Sequence, residues 1–159
     1  MDLELQGKAE KVTGGCFCGA VRYEAEVYLH DAYYCHCRMC QKLTGAPAEV
    51  AVFFKPDSLR FTKGEPKYYQ TSHFAERGFC SECGSRLMWR PLLPEVPDWW
   101  TNLPVGSLDH PEKARPALHM CVESQLPWYK IDDGLPRTGT DEYPELAALW
   151  SAQDKPSND

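Results

Sequence analysis

Apolar and polar residues alternate over several short stretches of this chain. The clearest stretch is 21–27, where Val21, Tyr23 and Ala25 alternate with charged neighbours. Alternation with a period of two puts successive side chains on opposite faces of the backbone, which is typical of a half-buried β-strand. Shorter or weaker runs of the same kind lie at 48–54, 59–61, 67–70, 87–89 and 117–121. The pattern therefore predicts a mainly β protein built from short strands.

One stretch near the C-terminus has a helical spacing of apolar residues instead. Leu146, Leu149 and Trp150 stand at positions i, i+3 and i+4, so we expect a short helix over 145–150 and a polar tail over 151–159. Thirteen prolines and eleven glycines fall mainly between the predicted strands and indicate frequent turns. A chain of 159 residues is the right length for one compact domain with its own core.

Composition and charge narrow the functional classes. Hydrophobic residues make up 43% of the chain and charged residues 25%, as in an ordinary globular protein. The net charge of −6 gives no electrostatic attraction for nucleic acid or anionic lipid, so neither partner is expected. No run approaches the ~20 apolar residues that cross a bilayer, and residues 1–8 do not resemble a secretion signal. We therefore expect a cytoplasmic protein whose thiols stay reduced.

The eight cysteines carry the candidate chemistry, because seven of them fall into three tight groups. The groups are Cys16 with Cys18, Cys35 with Cys37 and Cys40, and Cys80 with Cys83. One or two residues between cysteines let neighbouring thiolates converge on one zinc ion. The two pairs together would complete a closed, structural Cys₄ site. The triplet would leave one position of a tetrahedron open for water or substrate, as catalytic zinc sites do.

Other interpretations of the cysteines stay open on this evidence. A histidine completing the triplet would give a second closed site; the candidates are His30, His36, His73, His110 and His119. Iron–sulfur ligation is a weaker alternative, because the spacings do not reproduce ferredoxin motifs. A redox role for Cys80 and Cys83 lacks the βαβ setting of thioredoxin-like proteins. Cys121 stands alone and is interpreted as a small buried hydrophobe.

The three cysteine motifs resemble those of the glutathione-dependent formaldehyde-activating enzymes and their centromere protein V relatives. The matching segments are 14–23, 35–42 with Gly45, and 79–85, with weaker matches at 106–109 and 128–136. The resemblance spans 14–137 and implies a Mss4-like β-tent of short antiparallel strands stabilised by zinc. It divides the chain into an N-terminal lead-in (1–13), the zinc-binding domain (14–137), and a C-terminal helix with a polar tail (138–159).

The resemblance also implies a function. Two zinc ions per chain are expected. The structural zinc would be held by Cys16, Cys18, Cys80 and Cys83, and the catalytic zinc by Cys35, Cys37 and Cys40. The implied enzyme is a carbon–sulfur lyase that condenses formaldehyde, or a related small aldehyde, with glutathione or a similar thiol to S-(hydroxymethyl)glutathione or its equivalent. Its partners would be a small-molecule thiol and aldehyde. The alternative is a non-enzymatic, zinc-stabilised binding module of the centromere protein V kind.

Overall fold

A computed structural model describes residue 5 and residues 7–152 of the chain. In this part the chain forms eleven strands and two α-helices, joined by turns and short 3₁₀ segments. The strands are β1 (Glu10–Gly15), β2 (Arg22–Val27), β3 (Ala32–Cys35), β4 (Glu49–Phe53), β5 (Arg60–Lys63), β6 (Lys67–Ser72), β7 (Ala75–Phe79), β8 (Arg86–Pro91), β9 (Asn102–Pro104), β10 (Pro116–Met120) and β11 (Arg137–Thr138). The helices are α1 (Arg38–Thr44) and α2 (Pro144–Ser151).

The strands form two sheets. The smaller sheet has the order β1-β2-β5 and is antiparallel throughout. The larger sheet has eight strands in the order β11-β10-β3-β4-β9-β8-β7-β6. The prediction of a mainly β fold with a short C-terminal helix is confirmed. The C-terminal tail prediction lies mostly outside the described residues, because positions 153–159 are not among them.

Each of the six alternating stretches in the sequence contains a strand or overlaps one. The strands that the pattern missed are β1, β3, β7, β9 and β11. They are short or carry glycine and proline, as in the segment of β1, which ends on Gly14 and Gly15. Their conformation is set by hydrogen bonds to neighbouring strands and not by their own alternation of apolar residues. β1 begins at Glu10, inside the segment assigned to the lead-in.

Most strand pairs are antiparallel, as the resemblance implies, and two pairs are parallel. β10 pairs with β3 in the parallel direction, and β11 pairs with β10 in the same direction. Parallel pairing needs a long crossover, and the connection from β3 to β10 contains six strands and α1. The sequence pattern also missed α1, whose seven residues begin inside the second cysteine motif and extend past it. Neither helix of the described chain is long and apolar enough to cross a lipid bilayer.

The main core lies between the two sheets. The smaller sheet contributes Tyr23 and Val27, and the larger sheet contributes Val52, Leu87 and Leu103, all of them essentially inaccessible to solvent. A second cluster surrounds the second cysteine motif and includes residues of β3, β4, β10 and α2. The sheets therefore share one core, and the second cysteine motif lies at a separate apolar region.

Leu103 offers a direct test of the packing between the sheets. It is 1% exposed in β9, between β4 and β8. Leu103→Ala is expected to lower the free energy of unfolding by about 2–5 kcal/mol, because it removes buried methyl groups and leaves a cavity. Leu92→Ala is the matched control, since Leu92 is 40% exposed. Urea unfolding of the metal-loaded proteins measures both, and equal losses in the two variants would contradict this core assignment.

Candidate metal centres and the adjoining cavity

The first candidate centre joins the turns of two hairpins. Cys16 and Cys18 lie in the turn between β1 and β2, and Cys80 and Cys83 lie in the turn between β7 and β8. All four sulfurs lie within 4.8 Å of one another. Cys16 Sγ is 3.6 Å from Cys18 Sγ, and Cys18 Sγ is 3.8 Å from Cys80 Sγ. We refer to these residues as the four-cysteine group, which connects the smaller sheet to the larger one.

Both turns of the four-cysteine group require unusual backbone geometry. Gly19 and Gly84 have φ angles of 73° and 75°, in the left-handed region that glycine adopts without a steric penalty. The turn of Cys16 is further held because Val21 N donates a hydrogen bond to Cys16 Sγ at 3.2 Å. The hydroxyl of Ser85 lowers the pKa of Cys83 to about 6, which favours a thiolate at neutral pH.

The second candidate centre is the trio Cys35, Cys37 and Cys40, where β3 ends and α1 begins. Its three sulfurs also lie within 4.8 Å of one another. Cys37 is the N-cap of α1, and its Sγ accepts a hydrogen bond from Cys40 N at 3.3 Å. Hydrogen bonds from the other two thiols of the trio hold the pKa of Cys37 well below its usual range. Short local geometry thus brings three sulfurs together on one side of the turn.

Both groups have the donor chemistry of a metal site. Sulfurs bound to one zinc ion at about 2.3 Å in a tetrahedron lie about 3.8 Å apart, close to the measured separations in the four-cysteine group. All eight cysteines are free thiols. The four-cysteine group can supply a complete tetrahedron, and the trio can supply three of four ligands. Two cysteine clusters in this chain can therefore hold metal ions.

Arg77 supplies a positive charge to the trio. It is 6% exposed on β7, and its Nη2 donates to Cys40 Sγ at 3.7 Å. Its Nη1 donates to Met39 Sδ at 3.3 Å and contacts the hydroxyl of Thr71. Within residues 7–152, Arg77 forms no ion pair with a carboxylate. Because a buried charge needs a compensating one, thiolates of the trio formed on metal binding would be the counterion of Arg77.

A cavity of about 100 Å³ lies beside the trio and Arg77. One of its walls carries the buried ion pair between Glu49 and Arg86. Burial lowers the pKa of Arg86, although the guanidinium stays charged. The remaining walls are mainly apolar, and their aromatic members are Tyr33, Phe53, Phe74, Trp89, Trp100 and Trp150. The cavity is thus a small, mainly apolar space that borders four thiols, those of the trio and of Cys121, and the guanidinium groups of Arg77 and Arg86.

The five histidines do not complete the trio, since the group of metal-ligating atoms formed there contains no histidine among the described residues. His36 instead shares a hydrogen bond between its Nε2 and Nδ1 of His119, at 2.9 Å. His119 Nε2 in turn lies 3.0 Å from an oxygen of Asp133. Burial lowers the pKa of His36 to about 4, so its imidazole is neutral at neutral pH. Because His36 lies between Cys35 and Cys37 in the chain, this hydrogen-bonded series of side chains adjoins the trio.

Sequence reasoning missed several residues of this region. Nothing in the spacing of Arg77, Arg86 or Glu49 points to the trio, because strand pairing across the larger sheet brings them there. The sequence pointed to Cys121 only through its being a cysteine. Its distance along the chain from the three cysteine groups favoured a packing role. Cys121 is indeed buried, yet it also lines the cavity beside the trio. The interpretation of Cys121 as a simple hydrophobe is therefore incomplete.

Arg77→Met tests the electrostatic role of Arg77. We expect the trio to lose affinity for a divalent metal on the order of 10–100-fold, the usual effect of removing a supporting residue. Arg77→Lys keeps the charge and should lose less. Arg90→Met is the matched control, because Arg90 lies on the neighbouring strand and pairs with Glu76 near the surface. Competition with a chelator measures the affinity, and thermal melting confirms folding. Wild-type affinity in folded Arg77→Met would refute this role.

Comparison with protein families identifies a match over most of the chain. The family model of the glutathione-dependent formaldehyde-activating enzyme matches residues 11–124. The matched region contains the four-cysteine group, the trio and Cys121. It therefore includes both candidate metal centres and extends beyond the motifs themselves.

Individual relatives share smaller parts of the sequence or structure. A Schizosaccharomyces pombe protein named an uncharacterised lyase is 31% identical over 74 residues, which is 46% of this chain and 53% of that protein. This chain thus spans about half the length of the curated relative that it matches. A crystal structure of a Rhodobacter sphaeroides protein aligns with a TM-score of 0.48 and 24% identity, covering 79% of this chain and 98% of the other.

Proposed function

This chain belongs to the glutathione-dependent formaldehyde-activating enzyme family, and we propose that it is a zinc-dependent carbon–sulfur lyase. In the proposed reaction, formaldehyde or another small aldehyde condenses with glutathione or a similar thiol to give an S-hydroxymethyl adduct. The observation that carries the proposal is the contrast between the two cysteine clusters. One can supply four sulfurs, whereas the other supplies three and borders a cavity.

The proposal assigns a separate role to each cluster. The four-cysteine group would hold a structural zinc between the hairpin turns of the two sheets. The trio would hold the catalytic zinc at the edge of the cavity. When bound by three thiolates, zinc lowers the pKa of a thiol that takes the remaining position and so provides a thiolate nucleophile at neutral pH.

The residues around the trio suit the addition of a thiol to an aldehyde. In this reaction a carbon–sulfur bond forms, the carbonyl π bond breaks, and the proton of the thiol finally resides on the new hydroxyl oxygen. The aromatic walls limit the access of water, and the volume of about 100 Å³ suits formaldehyde, the smallest aldehyde. A nucleophilic thiolate gains reactivity when water is kept from it.

Arg77 and the Glu49–Arg86 pair set the charge of this environment. Arg77 would offset one negative charge of the trio once metal binding ionises its thiols, through its contact with Cys40. The ion pair on the wall is neutral as a unit and leaves neither charged group uncompensated. In an interior of low dielectric constant, the attraction between a guanidinium and a thiolate is strong, so the cation stabilises the negative charge of the thiolate. The chain thus provides a region where an additional thiolate can be accommodated.

Removing one ligand from each cluster tests the division of roles. Cys37→Ala is expected to lower the zinc content from two ions per chain to one while the protein stays folded. Cys80→Ala is expected to remove the zinc that joins the sheets and to cause the larger loss of thermal stability, because metal binding free energy becomes folding free energy. Elemental analysis and thermal melting measure the two effects. Loss of both ions and of the fold in Cys37→Ala would argue against separate roles.

The reaction itself can be followed by exchange spectroscopy of ¹³C-formaldehyde with glutathione. Because a free thiol is only a few per cent ionised at pH 7, full ionisation allows an acceleration on the order of 10–100-fold. The advantage should shrink as the pH rises above about 8.5, where a free thiol ionises without assistance. Cys37→Ala should give the uncatalysed rate, whereas the control Arg90→Met should match wild type. The assignment of this reaction fails if zinc-loaded wild type leaves the exchange rate unchanged.

A further inference from the structure

Cys121 lies next to the first cysteine of the trio because of strand pairing. It directly follows β10, and Met120 at the end of that strand is paired with Cys35 in parallel register. The next residue of the motif is also fixed to β10, since His36 N donates a hydrogen bond to Met120 O at 3.0 Å. The larger sheet therefore holds the backbone of Cys35 and His36 next to that of Met120, which directly precedes Cys121.

The side chain of Cys121 points to the same region as the trio. Its side chain lies in one packed cluster with those of Cys35, Cys37 and Cys40. It is 2% exposed and lines the same cavity as the three other thiols. Its sulfur does not belong to the group whose members all lie within 4.8 Å of one another. Four thiols thus share the cavity, three closely grouped and the fourth more than 4.8 Å from at least one of them.

The backbone at Cys121 gives this position an additional constraint. Its φ angle is 58°, and among the described residues only Asp57 is another non-glycine residue with a positive φ. The left-handed region disfavours residues that have a Cβ atom, so glycine or asparagine would suit this position better. Strain of this kind persists where surrounding structure compensates for it. A thiol in the cavity beside the trio is one feature that glycine could not supply.

We infer that Cys121 is a fourth, exchangeable thiolate ligand of the metal centre formed by the trio. This inference rests on the proposed function for the identity of the metal and of the incoming thiol. Cys121 closes the centre when substrate is absent, and a substrate thiol takes its place. The exchange is balanced, because the proton of the incoming thiol passes to the departing Cys121 sulfur, and the number of bound thiolates stays the same. The fourth ligand of the centre is therefore Cys121 when substrate is absent and the substrate thiol when it is present.

Cobalt substitution tests the inference without reference to activity. Thiolate-to-cobalt charge transfer reports the number of bound thiolates, which would be eight in the wild-type protein. Cys121→Ala and Cys121→Gly should each lose about one eighth of that intensity, with the ligand-field bands of one site changing. The glycine variant also suits the positive φ, so it distinguishes ligand loss from backbone strain. Met120→Leu, which changes a buried neighbour in the same cavity, should keep the wild-type spectrum.

A small thiol provides chemical rescue. Adding 2-mercaptoethanol should restore the lost intensity in both Cys121 variants, whereas in wild type it should leave the intensity unchanged, because one thiolate replaces another. Equal intensities in folded wild type and Cys121→Ala would overturn the inference, as would a disulfide between Cys35 and Cys121 in the metal-loaded protein detected by mass spectrometry. If the spectra behave as expected but formaldehyde exchange is not accelerated, the proposed reaction fails and the ligand assignment holds.

Discussion

The convergence of two hairpin turns at the four-cysteine group is the constraint on which the rest of the structure depends. One turn belongs to the smaller sheet and the other to the larger, so four sulfurs fix the position of one sheet relative to the other. The apolar core between the sheets is formed by side chains such as Tyr23 and Leu103 from opposite sides. In a domain of this size, a metal-linked contact adds substantially to what the core alone supplies.

The same hairpin connects the two candidate centres. The turn between β7 and β8 carries Cys80 and Cys83, while the strands themselves carry Arg77 and Arg86 to the cavity beside the trio. A fixed turn therefore also fixes the strands that place Arg77 against Cys40 and Arg86 against Glu49. The trio is built from local geometry, but its electrostatic environment comes from a distant part of the sequence. The two candidate metal centres are in this way parts of one arrangement.

The sequence was informative where the signal is local. Alternation in residues such as Val21, Tyr23 and Ala25 is enough to predict β2, and the spacing of Cys35, Cys37 and Cys40 is enough to group their sulfurs. The position of Arg77 could not be predicted in this way, because it depends on the order of strands in the larger sheet. The same holds for Cys121, whose neighbour Cys35 is distant in sequence and reaches it through a parallel strand pair. Parallel strands are joined by a long crossover and not by a short turn. Short-range sequence patterns therefore carry no information about which strands pair in this way.

The two cysteine clusters differ in how much of the chain each one closes. Cys18 and Cys80 in the four-cysteine group are 62 residues apart, whereas the trio spans positions 35 to 40. For flexible chains, the entropic contribution to the free energy of closing the longer loop is about 2 kcal/mol less favourable than that of closing the shorter one. The trio can therefore assemble on a short, newly made segment, while the four-cysteine group must wait until the chain has been made through Cys83. The spacing of the cysteines would thus let the trio bind a metal ion earlier during synthesis than the four-cysteine group, before the fold that encloses the trio has formed.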